Sequence, residues 1–160
     1  MPKCVCSLLI LLTVGIAYSH AGFSSPESLT ADWKLRKVML KADRIVVRDG
    51  GMNCCRPVDN NPVFFEVTDP EEIKTFIENM KICGYGDPQG CECCGWPGID
   101  FYKDGKRIAL TSVKDGAGIW WKKSEAELTE GAQKWLREWL VKNGVSEDIL
   151  KKNHYPTPKK

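Results

Sequence analysis

Residues 99–110 read IDFYKDGKRIAL, and this stretch decides the fold class of the chain. At its centre lies Asp104-Gly105, a dipeptide that favours a two-residue β-hairpin turn because both of its residues tolerate positive φ. Pairing Lys103 with Lys106 then sets four pairs of residues opposite each other: Ile99 with Leu110, Asp100 with Ala109, Phe101 with Ile108, and Tyr102 with Arg107. Because the first and third pairs are apolar and share a face, the stretch predicts an antiparallel hairpin with one buried side.

Three more strands are expected from the pattern of apolar and polar residues around this hairpin. Arg44–Arg48 and Val63–Val67 alternate in the way that is typical of half-buried strands. A second reversal at 115–118 leads into a strand that carries Ile119, Trp120 and Trp121. Together with the hairpin, these segments predict a small antiparallel sheet of about five strands.

Three segments have the spacing of amphipathic helices, namely 30–41, 70–81 and 130–142, and 146–152 can add a further turn. Asp69 is suited to cap the second helix, and Pro70 fits its first position. The third helix has Thr129 as its expected cap and a long apolar stripe, made of Leu128, Ala132, Trp135, Leu136, Trp139 and Leu140. The order of elements predicts one α+β domain over 30–152, with the helices packed on one face of the sheet.

The first 21 residues have the pattern of a cleavable secretory signal. Lys3 is their only charge, an apolar run extends from Leu8 to Ala17, and small residues precede a cleavage position after Ala21. The apolar run is shorter than the roughly 20 residues that a spanning helix needs. We therefore expect a secreted or periplasmic protein with no membrane span in its mature chain, in which 22–29 form a linker; a buried N-terminal helix is the alternative.

The charge balance argues against a general attraction to nucleic acid. The formal net charge of +2 at pH 7 becomes +1 when Lys3 leaves with the signal. This near-neutral value gives no electrostatic reason to expect a nucleic-acid partner. Lysines gather near the C-terminus, so residues 153–160 are expected to form a flexible basic tail, or alternatively a weak anchor to an anionic surface.

Six cysteines are crowded into residues 54–94, namely Cys54, Cys55, Cys83, Cys91, Cys93 and Cys94. In an exported protein an even set of this density is expected to form disulfides. Three bridges would stabilise the domain by about 2–4 kcal/mol each, but the sequence leaves their connectivity open. The predicted fold is therefore a disulfide-stabilised α+β domain.

A metal site is the sharpest alternative use of these cysteines. Thiolates suit Cu(I) or Zn(II), and the set for such a site is Cys54, Cys55, Cys91, Cys93 and Cys94. Their spacing is not the paired Cys-x-x-Cys of a zinc ribbon, and no histidine lies near them in the sequence. We therefore expect no cofactor, with metal binding as the first alternative and thiol redox chemistry as a further one.

The residues that usually carry catalysis are few. After signal cleavage His154 is the only histidine, so a serine or cysteine nucleophile would lack a histidine base. Carboxylates are plentiful, which keeps a carboxylate-dependent hydrolase as the second alternative. The first expectation is a protein without enzyme activity.

Aromatic and charged residues near the hairpin form a candidate binding patch. Trp120 and Trp121 are consecutive on a strand, so they point to opposite faces and at least one is a candidate for exposure. The full set expected on this patch is Trp96, Asp100, Tyr102, Arg107, Trp120 and Trp121. Exposed aromatic residues with nearby charges are typical of recognition surfaces, although helices could cover this face instead.

Four stretches resemble a group of small exported bacterial domains of unknown function: ADRIVVRDGG at 42–51, TDPEEI at 68–73, CECCGWPGIDFY at 91–102, and the 128–140 segment with Leu128-Thr129, Trp135-Leu136 and Trp139-Leu140. The resemblance implies export and an α+β fold, and no activity is assigned to the group. Its members tend to carry His-Gly and Arg-Trp around the second reversal. This chain has Asp115-Gly116 and Trp120-Trp121 there, so a function that used that histidine or arginine would be lost.

The combined expectation is a non-enzymatic binding module stabilised by three disulfides. Its partner is unknown from the sequence, with an extracytoplasmic protein or a carbohydrate as the candidates.

Overall fold

The fold is that of a computed structural model, which describes four stretches of the chain: 34–52, 60–86, 95–122 and 124–152. The predicted signal peptide, linker and basic tail lie outside these residues, so they stay predictions. Among the described helices, none combines the length and apolar character that a membrane span requires.

The described residues form one antiparallel sheet of seven strands in the order β2-β1-β4-β5-β6-β7-β3. The strands are β1 Arg44–Arg48, β2 Val63–Val67, β3 Ile82–Gly86, β4 Gly98–Lys103, β5 Lys106–Lys114, β6 Gly118–Trp121 and β7 Ser124–Leu128. The predicted α+β class is confirmed. The expected number of about five strands was wrong, because β3 and β7 were missed.

The sequences of the two missed strands carry only weak strand signals. β3 contains Gly84 and Gly86, and a glycine just after a helix is typical of a helix end. β7 reads SEAEL, and its Leu128 also fits the apolar stripe of the following helix. Both strands form because they pair with each other and β7 also pairs with β6, which overrides their weak local preference.

Four helices accompany the sheet: α1 at 34–39, α2 Pro70–Asn79, α3 Glu130–Lys142 and α4 Glu147–Lys152. The predicted caps are confirmed, since the side chain of Asp69 accepts from the backbone N–H of Glu72 at 2.8 Å. Thr129 Oγ1 accepts from the N–H of Ala132 at 3.2 Å in the same way. These two caps fix where α2 and α3 begin, and so which of their side chains face each other.

The core lies between the helices and one face of the sheet, as predicted. Ile45 and Val47 of β1 belong to it, whereas Val46 between them faces the other side of the sheet. Phe76 of α2 lies with its ring centroid 6.0 Å from that of Phe101 in β4. A cavity of about 10 Å³ lies between α1, α2 and the sheet, with room for one water at most, so the described helices pack closely on the sheet there.

The hairpin has the predicted turn and a different register beyond it. Lys103 pairs with Lys106 and Tyr102 with Arg107, as expected, but the register then shifts by one residue. The observed pairs beyond the shift are Phe101 with Ala109, Asp100 with Leu110, and Ile99 with Thr111. Ile108 is the extra residue of a β-bulge, which the assumption of a regular ladder could not foresee.

Candidate functional site

The face of the sheet opposite the helices, which we call the second face, carries a buried ion pair between β1 and β4. Arg48 of β1 donates to Asp100 of β4 through Nε at 2.9 Å and through Nη2 at 3.1 Å. The two side chains are 3 % and 1 % exposed. Arg107 of β5 adds a longer contact from its Nη1 to the same carboxylate at 3.5 Å. Asp100 is therefore held by two arginines and is not presented to solvent.

The remaining donors of Arg48 bind the chain that follows β1. Its Nη1 donates to the carbonyl oxygens of residues 49, 50 and 51, the last at 2.9 Å. The guanidinium lies over Gly98, where a Cβ would be 2.3 Å from Arg48 Cζ. All three nitrogens of this arginine are thus engaged inside the protein, which makes Arg48 and Asp100 structural residues rather than ligand contacts.

The structure brings most of the predicted patch to the second face, but it buries the centre of that patch. Trp96 is half-buried and donates from Nε1 to Asp49 Oδ1 at 2.7 Å. Tyr102 lies beneath the guanidinium of Arg44, whose Cζ is 4.4 Å from the ring centroid. Trp120 is 1 % exposed, so it does not supply the exposed tryptophan expected on this face.

Trp121 lies on the other face of the sheet. It pairs with Thr111 and packs against the core, with Lys122 Nζ 4.6 Å from its ring centroid. The six predicted patch residues therefore do not form one exposed surface. Arg107 and Tyr102 remain partly accessible at the edge of the second face.

Two buried polar atoms on the second face have no hydrogen-bond partner in the described structure. They are Ser112 Oγ and Trp120 Nε1, which belong to residues directly opposite each other on β5 and β6. Gly95 packs directly against this serine, since a Cβ on Gly95 would lie 2.2 Å from Ser112 Oγ. The contact leaves no room for a ligand over Ser112, so the second face does not offer an open site there.

The cysteine predictions rest almost entirely on residues outside the described stretches. Cys54, Cys55, Cys91, Cys93 and Cys94 all lie there, so their disulfide pairing and the alternative metal site stay predictions. Cys83, on the edge strand β3, carries a free and exposed thiol, so it does not show the predicted disulfide. No group of three or more metal-ligating side chains occurs within the part of the chain that the structure describes.

An open groove of about 560 Å³ runs between α2 and α3 on the outer surface of the helices. We call it the α2–α3 groove, and its lining residues are Glu71, Glu72, Thr75, Trp135, Glu138, Trp139 and Lys142. The four residues from α3 have the spacing i, i+3, i+4 and i+7, which places them on one side of that helix. The first two turns of α2 supply the opposite wall.

Tryptophan rings form the floor of the α2–α3 groove. Trp139 is buried and donates from Nε1 to Glu72 Oε1 at 3.2 Å, which ties α3 to α2. Trp135 is half-buried and lies nearly parallel to Trp139, with centroids 6.0 Å apart and planes inclined by 16°. Phe76 packs against Trp135 from the core side, with their ring centroids 5.7 Å apart. Trp135 is thus a fixed ring at the surface of the groove.

Carboxylates surround this ring. Glu71, Glu72 and Glu138 line the groove together with one cation, Lys142, so the lining carries an excess of two negative charges. Glu71 and Glu138 also form ion pairs with lysines on their own helices, both at 3.8 Å between N and O. Their side chains are 84 % and 61 % exposed, and exposed pairs of this kind are weak. Both carboxylates can therefore interact with an additional cation.

No known protein guides the choice among these regions. No family model, curated protein or solved structure matches the sequence. The resemblance to exported bacterial domains therefore stays an expectation, and the site has to be interpreted from its own geometry.

Sequence reasoning did not find the α2–α3 groove. It assigned Trp135 and Trp139 to a buried stripe, which is right for Trp139 and only half right for Trp135. The spacing of residues 135, 138, 139 and 142 was visible in the sequence. What could not be seen is that the acidic first turn of α2 faces them, because that requires the packing of the two helices.

Proposed function

We propose that this chain is an exported, non-enzymatic binding module that holds its ligand in the α2–α3 groove. The observation that carries the proposal is the half-buried Trp135 ring, fixed by Trp139 and Phe76 and bordered by three carboxylates. A rigid aromatic ring at the surface with charged neighbours is a common arrangement in recognition sites. Export is included because the first 21 residues have the pattern of a secretory signal.

The choice of the groove over the second face follows from how the polar groups are used. On the second face, Arg48 and Asp100 bind each other and the backbone, and Gly95 covers Ser112. In the groove, Glu71 and Glu138 are largely exposed and take part only in weak surface pairs. The carboxylates of Glu71 and Glu138 are therefore accessible to a ligand.

Exposure also favours binding over hydrolysis at this site. A carboxylic acid that protonates a leaving group is usually kept in a shielded, apolar environment. Glu71 and Glu138 are solvated, and Glu72 accepts a hydrogen bond from Trp139 Nε1. These environments support a role for the carboxylates in attraction and orientation of a ligand rather than in proton transfer.

The proposal is tested by probing arrays of peptides and of glycans with the exported protein and with Trp135→Ala and Trp135→Leu. Trp135→Leu keeps apolar bulk against Phe76 and removes the ring, so a shared loss of binding reports the ring and not the packing. Glu130→Gln, an exposed change in the first turn of α3 outside the groove, is the control. Both Trp135 variants should lose binding to the peptides or glycans that the unchanged protein binds, and Glu130→Gln should retain that binding.

Thermal unfolding should accompany the arrays to show that each variant is folded. Binding by folded Trp135→Ala at the level of the unchanged protein would overturn the assignment of the groove. The absence of binding to every peptide and glycan by the unchanged protein would overturn the binding function itself.

A further inference from the structure

We propose that the ligand of the α2–α3 groove is a basic peptide segment of a partner protein, with a lysine or arginine side chain placed over Trp135 and between the groove carboxylates. This inference rests on the proposed function, because it names the ligand of the same groove. Three properties of the lining residues lead to it: their charge, the orientation of the tryptophans, and the lack of neutral polar groups.

The charge of the lining selects a cation. Three glutamates and one lysine line the groove, and the lysines that pair with Glu71 and Glu138 lie outside the lining in weak, exposed pairs that a ligand cation can replace. The whole chain, by contrast, has a formal net charge of +2. The attraction is therefore a property of this groove and not of the protein as a whole. Because the groove is open to solvent, salt screens this attraction, and binding should weaken as ionic strength rises.

The aromatic floor selects the same kind of group. The face of an indole ring carries negative electrostatic potential and attracts ammonium and guanidinium groups placed within about 6 Å of its centre. Trp135 is held in one orientation by Trp139 and Phe76, so its ring is preorganised for such a contact. Lysine and arginine side chains also have apolar stems that can cover the ring.

The composition of the lining argues against a sugar as the main ligand. A neutral carbohydrate could donate its hydroxyl groups to these carboxylates but would gain nothing from their charge, whereas a cation gains from both. Apart from the tryptophans, Thr75 is the only uncharged polar side chain among the seven lining residues. An anionic ligand would meet three carboxylates. A volume of about 560 Å³ is in the range of ligand sites and is open enough for a run of peptide to pass through it.

The two side chains expected to contribute most are Trp135 and Glu138, which lie one helical turn apart on α3. Loss of a cation–ring contact at a partly exposed site should weaken binding by about two- to fivefold. Loss of one exposed carboxylate should weaken it by up to about fivefold. The double variant Glu71→Gln/Glu138→Gln should weaken it by up to about 25-fold, because the free energies of two separate effects add and their factors multiply.

The test is a fluorescence-anisotropy titration of a labelled six-lysine peptide with the exported protein at about 20 mM and about 300 mM salt, where screening differs strongly. A six-glutamate peptide and a neutral six-glucose oligosaccharide are the comparison probes. Glu78→Gln removes the same charge from α2 at an exposed position outside the groove, so it is the matched control for Glu138→Gln.

The inference predicts that only the lysine peptide binds, that salt weakens it, and that Glu138→Gln and Trp135→Leu weaken it while Glu78→Gln does not. Equal weakening by Glu78→Gln would mean that the peptide responds to overall charge, which overturns the inference. Binding of the glucose oligosaccharide that depends on Trp135 would overturn the basic ligand and leave the binding function intact. If no probe binds and the peptide and glycan arrays also show no binding, both the basic ligand and the binding function are overturned.

Discussion

Arg48 of β1 and Asp100 of β4 form a two-pronged ion pair that joins the second and third strands of the sheet, on the side away from the helices. The same arginine holds the carbonyl groups of residues 49–51. One buried side chain therefore joins two neighbouring strands to the chain that leaves the first of them. The pair is as deeply buried on the second face as Phe76 is in the core beneath the helices.

Replacing Asp100 by alanine should destabilise the domain by about 3–5 kcal/mol, because it leaves the Arg48 guanidinium buried without its counter-charge. Urea unfolding followed by tryptophan fluorescence measures the change. Glu66→Gln, which removes the partially exposed pair between Arg44 and Glu66, is the control and should cost about 1 kcal/mol or less.

Asp100→Ala can prevent folding, so the double variant Arg48→Met/Asp100→Leu completes this test. It removes both charges and should recover much of the stability lost in Asp100→Ala. If Asp100→Ala unfolds at the same urea concentration as the unchanged protein, the ion pair contributes nothing to the free energy of unfolding.

Replacing Gly95 by alanine should destabilise the fold by about 1–3 kcal/mol through overpacking. The new Cβ would lie 2.2 Å from Ser112 Oγ and 2.8 Å from Ser112 Cβ, so either the segment at residue 95 or strand β5 has to move. Adding Ser112→Gly to Gly95→Ala should restore part of the loss, because it removes both of these contacts.

Gly131→Ala is the matched control for Gly95→Ala, since no heavy atom lies within 4 Å of a Cβ at that position in α3. Alanine is the better helix former, so this change should stabilise the protein by up to about 1 kcal/mol. Thermal unfolding compares the variants. If Gly95→Ala and Gly131→Ala shift the midpoint in the same direction, the close approach of Gly95 to Ser112 is not as described.

The carboxyl group of Asp43 should titrate below its ordinary pKa of 3.8. The main cause is the backbone N–H of Asp104, which donates to Asp43 Oδ2 at 2.9 Å, with a further contribution from Lys103 Nζ at 3.3 Å. Because the folded state lowers this pKa, Asp43 stabilises the fold above its unfolded-state pKa, and the contribution is lost as the pH falls through the folded-state value. An NMR titration of the carboxyl carbon measures it directly.

Asp43→Asn should therefore make the acid-side loss of stability less steep, as measured by urea unfolding at a series of pH values. At the alkaline end the hydrogen bond to Asp43 raises the pKa of Lys103, so that contribution is present below the unfolded-state value and disappears as the pH rises through the folded-state one. A midpoint for Asp43 at or above 3.8 would contradict the proposed hydrogen bonds.

The parts of the fold that the sequence predicted are those with strong local signals. Asp104-Gly105, the Asp69 cap and the Thr129 cap each act through their own neighbours, so their effect is visible without the tertiary structure. β3 and β7 could not be found in this way, since they depend on a partner strand more than on their own composition. The bulge at Ile108 is likewise a product of sheet packing.

The candidate site was less predictable than the fold, for the same physical reason. Trp120 lies on a strand next to Trp121, which suggested exposure, yet the second face is covered over its centre and Trp120 is buried. The α2–α3 groove arises from two helices that are far apart in sequence. The carboxylates of α2 and the tryptophans of α3 come together through the packing of the two helices, in which Trp139 Nε1 donates to Glu72 Oε1.

The bulge in the hairpin also determines where this chain can change length. Without Ile108, Tyr102 would still oppose Arg107 and Phe101 would still oppose Ala109, now in an unbroken ladder. Removal of Leu110 with the bulge kept would instead turn Thr111 and Val113 away from the interior and bring Ser112 towards it, because successive side chains of a strand point to opposite faces. The bulge at residues 107 and 108 is therefore a spare residue in β5: the strand can lose one residue there and keep the pairing of Ile99 with Thr111.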